Sequence, residues 1–345
     1  MPKTALITGI SGQDGAYLAQ FLLAKGYRVV GALRRSSRSA IPRLIELKIA
    51  NDVELVDFDL AEITNIMRTL ERVQPDEIYN LAAQSYVALS FEQPIYTSDA
   101  NGIGALRILE SLRQVVSAAR FYQASTSEMF GRAPAFPQDE TTPFCPRSPY
   151  GYAKLFAHWA TVSYRESYGI HASSGILFNH ESPLRGREFV TRKITWSLAR
   201  IRHGDLETLE LGNLDAQRDW GFAGDFVDGM WLMLQQDKAE DYVLATGETH
   251  TVRSFVETAA SRFQFDIEWS GAGPDERGID RRSGKTIVRV NPAFYRPAEV
   301  DRLAGNPRKA QEVLGWRRKI GFDELVTLMA EADARRVRDN FETGA

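Results

Sequence analysis

Two short segments hold residue types that can move protons and hydride. Tyr150-Gly-Tyr-Ala-Lys154 sets a phenol and an ammonium four residues apart, on one face if the segment is helical. A tyrosine with an ordinary pKa of about 10 is a poor base near neutrality. A neighbouring ammonium and the positive charge of an oxidised nicotinamide both favour its anion. Tyr150 can then take a hydroxyl proton while hydride leaves the same carbon. The second segment is Ser125-Thr126-Ser127-Glu128. Thr126 can hydrogen-bond the hydroxyl being oxidised. Glu128 is a carboxylate that a simple alcohol dehydrogenase does not need, but one is required to remove a C–H proton beside a new ketone. Each segment also has a plain reading. Tyr-x-x-x-Lys is a frequent surface pair on a helix, and Ser/Thr with Glu is a common helix cap.

The elements that must position these residues come from an alternating pattern. Apolar runs of strand length occur at Thr4–Ile7, Arg28–Leu33, Val53–Phe58, Glu77–Leu81, Arg120–Ala124 and Ala172–Phe178. Helical patterns lie between them, including Tyr17–Lys25, Ile63–Val73, Ile103–Leu112 and Tyr152–Ser167. Such alternation predicts an α/β fold, a Rossmann-like doubly wound parallel sheet. Ligands then bind at the carboxyl ends of the strands. Ser125–Glu128 falls at the end of the fifth strand, and Pro149 marks a helix start just before Tyr150.

The first strand runs into Gly9-Ile10-Ser11-Gly12-Gln13-Asp14-Gly15 and then a helix. Glycines here allow a tight turn and close approach of a pyrophosphate, which the helix N-terminus attracts. Where the second strand ends, an acidic residue would select NAD by binding the ribose 2′-hydroxyl. This chain has Leu33-Arg34-Arg35-Ser36-Ser37 instead, a set that suits a 2′-phosphate and so NADP; the plain alternative is a solvated basic turn. Asp59-Leu60 after the third strand can meet the adenine. Leu81-Ala82-Ala83-Gln84-Ser85 after the fourth has small residues that allow a cofactor close, or serve packing.

After Phe178 the rhythm breaks. The second half predicts a smaller, mixed α/β lobe that binds substrate, with Asp266–Arg289 read as a loop or excursion and helices at about Arg308–Leu314 and Phe322–Arg335. The expected division is residues 1–178 plus about 216–245 for the dinucleotide, and about 179–215 plus 246–345 for the substrate. Of the 345 residues, 43% are apolar, enough for a full core, and the net charge of −3 points to neither nucleic acid nor a membrane surface. The single cysteine, Cys145, allows no internal disulfide, and no apolar run reaches signal-peptide or transmembrane length, so a cytoplasmic protein is expected. The five histidines show no metal-ligand spacing, and no metal is expected.

Together these motifs resemble the extended short-chain dehydrogenase/reductase superfamily, and within it the GDP-mannose 4,6-dehydratase family. The resemblance is carried by Thr8–Gly15, Asn80–Ser85, Ser125–Glu128, Pro146–Lys154, Leu177–Pro183, Phe189–Lys193, Arg218–Gly221 and Arg296–Asp301, nearly the whole chain. It implies that Tyr150, with Lys154 and Thr126, oxidises the mannosyl C4 hydroxyl using NADP. Glu128 then removes the C5 proton, water leaves C6, and the hydride returns to C6. Ser127 stands where related dehydratases carry an aspartate. The resemblance places Tyr96, His180 and Arg185 near the cofactor. It gives Ser85, Thr126, Ser127 and Glu128 to the sugar, and Asn179, Val190, Lys193, Arg218, Arg296 and Glu299 to the GDP portion. It also implies a homodimer or homotetramer. Tyr86 and Cys145 depart from the family's usual residues, and Tyr86, by altering the sugar pocket, keeps a GDP-manno-heptose open as substrate. The rivals are a GDP-sugar epimerase or 4-keto reductase, which would lack Glu128, and a non-catalytic NADP sensor, which would lack the Tyr/Lys pair.

Overall fold

The computed structural model describes residues 2–34, 41–294 and 302–339. Six strands form in the first half: β1 (Thr4–Thr8), β2 (Arg28–Leu33), β3 (Glu54–Asp57), β4 (Glu77–Asn80), β5 (Arg120–Thr126) and β6 (Ala172–Leu177). All pair in parallel, in the order β6-β5-β4-β1-β2-β3. Every residue of β1, β4 and β6 is buried, as a sheet covered on both faces requires. A seventh parallel strand, Tyr242–Leu244, lies beside β6. It is only three residues long, and its sequence offers too little pattern to have marked it as a strand. The chain winds outward from β1 to β3 and then crosses back to β4. The crevice between β1 and β4 is therefore the switch point of the topology, where such sheets bind ligands.

Local signals set the helix ends. The long helix runs Pro149–Tyr168, three residues earlier than its apolar pattern predicts. Ser148 accepts from Gly151 N–H, Pro149 occupies the first turn, and Gly169 closes the other end with a left-handed backbone. The helix after the glycine turn runs Gln13–Ala24, so it also begins before the expected Tyr17.

The second half builds a separate core. Helices Val190–His203, Val252–Arg262 and Phe322–Arg338 pack Leu198, Phe255, Val256 and Met329 against Leu209, Leu211, Ile287 and Val288 of a four-stranded sheet. The Asp266–Arg289 segment is no loop. Ile267–Ser270, Arg277–Asp280 and Thr286–Val290 pair as successive antiparallel strands. Its glycines mislead because three of them, Gly271, Gly273 and Gly284, sit with positive φ in the connections.

Packing does not follow the expected boundaries everywhere. Phe226, Met230, Met233, Tyr242 and Leu244 join the core of the parallel sheet, but so do Ala310, Leu314 and Trp316, which had been allotted to the other lobe. Trp316 meets Phe226 edge-on at 5.7 Å and donates from Nε1 to the Asp225 carbonyl (2.8 Å). Ala216 and Trp220 go the opposite way, into the second core.

Candidate active site

Thr126 ends β5 and caps the short turn Ser127–Met129, accepting from Glu128 N–H (3.3 Å). The capping reading therefore holds for the Thr126 oxygen, yet the cap uses only the backbone of Glu128. Gly151, in the first turn of Pro149–Tyr168, comes so close to this turn that a β-carbon there would lie 2.9 Å from the Glu128 carbonyl oxygen. That contact brings Tyr150 near Thr126, whose hydroxyl favours the phenolate, and within electrostatic range of the Glu128 carboxylate. Lys154, one turn further, is 3% exposed and donates from Nζ to the Ala124 carbonyl (2.8 Å). Thr126, Glu128, Tyr150 and Lys154 thus converge. Ser127 is buried in the same turn.

Burial pushes Tyr150 up to about 12; the Thr126 hydroxyl nearby pulls the other way, and the Glu128 charge adds to the rise. Burial also brings Lys154 down to about 8, against the attraction of Asp14. The lowered phenol expected from the Tyr/Lys spacing is absent from the free chain. The Lys154 nitrogen stands 6.0 Å from the Tyr150 ring centre and serves Ala124. Desolvation dominates until further positive charge enters the site.

The glycine turn is packed too tightly for side chains at two of its positions. Gly9 has φ +71°, and a β-carbon there would fall 2.8 Å from Ala82 N; one on Gly15 would fall 2.4 Å from Gly9 O. The turn can therefore pack against the start of Leu81–Ser85 only with hydrogen at these positions, leaving the N-terminus of Gln13–Ala24 open beyond Gly12. Arg43 fixes the turn from the side, donating to the carbonyls of Ser11 (2.9 Å) and Leu184 (2.7 Å). Ile10 is fully buried beneath it.

His180 follows β6 and reaches this helix. Its Nε2 bonds Asp14 Oδ2 (2.8 Å) and its Nδ1 bonds the Phe178 carbonyl (2.7 Å), with the ring stacked on Phe226. Both partners can only accept, so both ring nitrogens donate and His180 is an imidazolium. Burial opposes that charge, but Asp14 outweighs it and the His180 pKa is raised. Burial likewise raises Asp14, and the His180 charge and hydrogen bond overcome it, holding Asp14 at about 2. Gln13 joins in, donating to the His180 carbonyl (3.1 Å) and accepting from Ser182 (2.7 Å). Arg185 stacks on Phe189 at 3.6 Å, and Phe189 meets Tyr86 edge-on.

Two supports were not foreseen. Asn101 accepts from Gln84 N–H (2.8 Å) and donates to its carbonyl (2.9 Å), which pins Leu81–Ser85. It lies in a widened helical turn, Asp99–Ile103, that periodicity alone does not reveal. Arg107 holds Asp59-Leu60 by donating to the Leu60 carbonyl (3.0 Å) while paired with Asp99. Arg34 is exposed and donates to Tyr96 (3.3 Å), so these two distant candidates meet. Arg35 and Ser36 lie outside the described residues.

In the second lobe, Asn179 and Trp220 are register partners, and Arg218, 7% exposed, ends the short strand Gln217–Arg218 of a separate sheet, just before Trp220 in the chain. Among the described residues the buried Asn179 Oδ1 has no partner. Val190 opens the helix that carries Lys193, whose ammonium covers the Phe294 ring at 3.5 Å. Arg296 and Glu299 lie outside the described residues. Asp219, missed by the sequence reading, is fully buried beside Arg218. Its carboxylate accepts from Thr246 N–H and hydroxyl (2.8 Å each) and Gly247 N–H (3.0 Å), tying these loops together. Burial raises it to about 6 despite those bonds.

The family model described as GDP-mannose 4,6 dehydratase matches residues 6–329. The GDP-mannose 4,6-dehydratase of Sinorhizobium fredii is 54% identical, covering 97% of this chain and 98% of its own. The enzyme of that name from Homo sapiens is 50% identical, covering 98% and 93%. Among solved structures, the dTDP-glucose 4,6-dehydratase DesIV of Streptomyces venezuelae, with NAD bound, superposes with a TM-score of 0.82. It is 22% identical and covers 98% of this chain and 99% of its own. The UDP-glucose 4-epimerase of Thermus thermophilus, also with NAD, gives 0.79 at 25% identity, covering 96% and 98%.

Proposed function

The chain belongs to the GDP-mannose 4,6-dehydratase family, and we infer from that membership and from its site that it converts GDP-mannose to GDP-4-dehydro-6-deoxy-mannose and water. It is a hydro-lyase whose product feeds GDP-deoxysugars. The observation that carries this reading is a carboxylate, Glu128, held beside a Tyr/Lys pair at the carboxyl end of β5.

The resident group is a nicotinamide dinucleotide, which when bound supplies a two-electron acceptor and donor and ends each cycle unchanged. The glycine cradle fits its pyrophosphate, since β-carbons at Gly9 and Gly15 would collide with the packed loop and turn. Gly9–Gly15, Asp59, Leu60, Leu81–Ser85, Tyr96, His180 and Arg185 would hold it, with Tyr150 and Lys154. The form is NADP, a reading supported by Arg34 beside Tyr96 and by Arg35 and Ser36 next in the chain. Tyr150 takes the C4 hydroxyl proton, and Thr126 hydrogen-bonds that oxygen. Lys154 is cationic below about pH 8 and favours the phenolate. Glu128 removes the C5 proton, acidified by the C4 ketone; the C5–H electrons form the C5=C6 bond as the C6–O bond breaks, and the proton taken by Glu128 passes to the departing oxygen, which leaves as water. Asn179, Val190, Lys193, Arg218, Arg296 and Glu299 hold the GDP portion, and Ser85 and Ser127 border the sugar.

The parallel-sheet lobe carries the dinucleotide and the second lobe the sugar nucleotide. The protein assembles as a homodimer or homotetramer. The exposed Ile95, Tyr152, Phe156 and Trp159, on two helices packed together, supply an apolar face for a second copy. Light scattering at micromolar concentration checks this, and a monomer would reject it. Among the described residues no helix is long and apolar enough to cross a membrane; composition and the lone cysteine support a cytoplasmic setting.

The deciding experiment uses GDP-mannose labelled with deuterium at C4. Mass analysis should find loss of one water and the label at C6. Intact sugar, inversion at C4 without water loss, or product stripped of label would each reject the reading.

A further inference from the structure

A row of buried polar side chains crosses three neighbouring strands just behind the site. Thr8, Asn80 and Gln123 are register partners on β1, β4 and β5. Thr8 and Gln123 are 1% exposed and Asn80 2%. Their hydrogen bonds run in one direction. The N–H groups of Leu81 and Ala82 both donate to Thr8 Oγ1 (3.1 Å). Thr8 donates to Asn80 Oδ1 (2.8 Å), Asn80 Nδ2 to Gln123 Oε1 (2.8 Å), and Gln123 Nε2 to the Ala124 carbonyl (3.0 Å). That carbonyl is the one that receives Lys154 Nζ (2.8 Å). Turning either amide over would break two of these bonds, so the order of donors and acceptors is set. Buried polar groups are costly unless satisfied, and apolar side chains would fill the same sheet safely.

We propose that Gln123, held by Asn80 and Thr8, is a positioning residue for Lys154: it occupies part of the Ala124 carbonyl and ties the ammonium to the Leu81–Ala82 loop. The inference rests on the assignment of Lys154 to the site. A carbonyl with two donors holds each less strongly than a carbonyl with one. The bond from an ammonium is the stronger kind, so freeing the oxygen from Gln123 would tighten it on Lys154. The ammonium would then persist to higher pH. Among the described residues, few charged groups bear on it. Asp14 reaches it from the helix Gln13–Ala24, and Tyr150 shares its own helix. Glu128 and Arg185 bear on Tyr150. His158, one turn on, is bonded to Ser125 of β5, and burial lowers its pKa.

The test is Gln123→Met, which keeps length and removes the donor. NADPH binding is followed by its fluorescence from pH 6 to 10 without sugar, beside single-turnover hydride transfer. The alkaline limb of both should move up by about half a pH unit or more, a threefold or greater change in the protonation equilibrium. Thr8→Val, at the far end of the row, should shift it less in the same direction and weaken NADPH about tenfold, because two loop N–H groups lose their acceptor. It also decides the matter if Gln123→Met does not fold. Wild-type limbs in the folded variants would overturn the proposal and leave the row a packing feature. Lys154→Met separates the two readings. If it transfers hydride normally, the Lys154 assignment fails. If it does not, while Gln123→Met keeps the wild-type limb, only the positioning role fails.

Discussion

His180→Gln removes the imidazolium that faces Asp14 and leaves a carboxylate at a helix N-terminus with only Gln13 and the more distant Arg185 to offset its burial. The pair is 11% and 23% exposed, so solvent screens it weakly. Asp14 falls from its ordinary 3.8 to about 2 in the folded chain. At about 1.4 kcal/mol per pH unit, the surroundings of Asp14, burial included, favour its charged form by about 2.5 kcal/mol, with His180 the largest favourable part. The sign follows from each partner. Asp14 is depressed, so its contribution is complete above pH 3.8 and is lost as pH falls through about 2. His180 is raised, so its contribution is complete below 6.5 and is lost as pH rises through its folded value. Both describe one pair, and their windows overlap between about pH 4 and 6.5. Urea unfolding of wild type and variant at pH steps from 3 to 9 should therefore give a difference of about 2–3 kcal/mol in that window, shrinking on either side. Asp14→Asn should show the same profile. NADPH affinity should distinguish the two variants. Asp14→Asn removes the anion and, with it, the reason for His180 to be charged, so net charge near the pyrophosphate changes little. His180→Gln leaves the anion alone, and binding should weaken about tenfold or more. A difference that does not vary with pH, or equal NADPH affinity in both variants, would refute the ion-pair reasoning.

Glu128→Gln should still form bound NADPH in a single turnover but eliminate water about 10²–10⁴ more slowly, leaving a 4-keto hexose with its 6-hydroxyl. Tyr150→Phe should block before NADPH appears; normal absorbance at the first step would remove Tyr150 from its role. Arg34→Ala combined with Arg35→Ala should weaken NADP at least tenfold more than NAD, as lost charge-assisted bonds to a phosphate require, and isothermal titration with both cofactors reads it directly. Because burial raises Asp219 to about 6, the folded chain binds a proton there that the unfolded chain has released, and stability falls by about 3 kcal/mol as pH rises from 3.8 to 6. Asp219→Asn should remove that slope from the urea midpoints, and an unchanged slope would mean the carboxylate ionises freely.

The geometry of the candidate site was legible wherever a local signal carries a local structure. The glycine turn, the Tyr150/Lys154 spacing and the Thr126/Glu128 pair sit at strand and helix ends, where short-range sterics and capping decide the backbone. Each did form the element its residues imply. Asn101, Arg107 and Asp219 carry no such mark, because each acts on a segment distant in sequence; Asp219 clamps Thr246 and Gly247. The Asp266–Arg289 strands were hidden for a related reason: connecting glycines signal turns strongly, and short strands gain their stability from partners rather than from their own pattern. By itself the sequence determined the alternating parallel sheet and the strand and helix ends that carry Thr126, Glu128, Tyr150 and Lys154, since these follow from period, turn residues and side-chain type. Tertiary structure alone decided their ionisation. Tyr150 pushed up to about 12, Lys154 brought down to about 8 and His180 held as an imidazolium against Asp14 depend on burial and on partners that no sequence spacing displays.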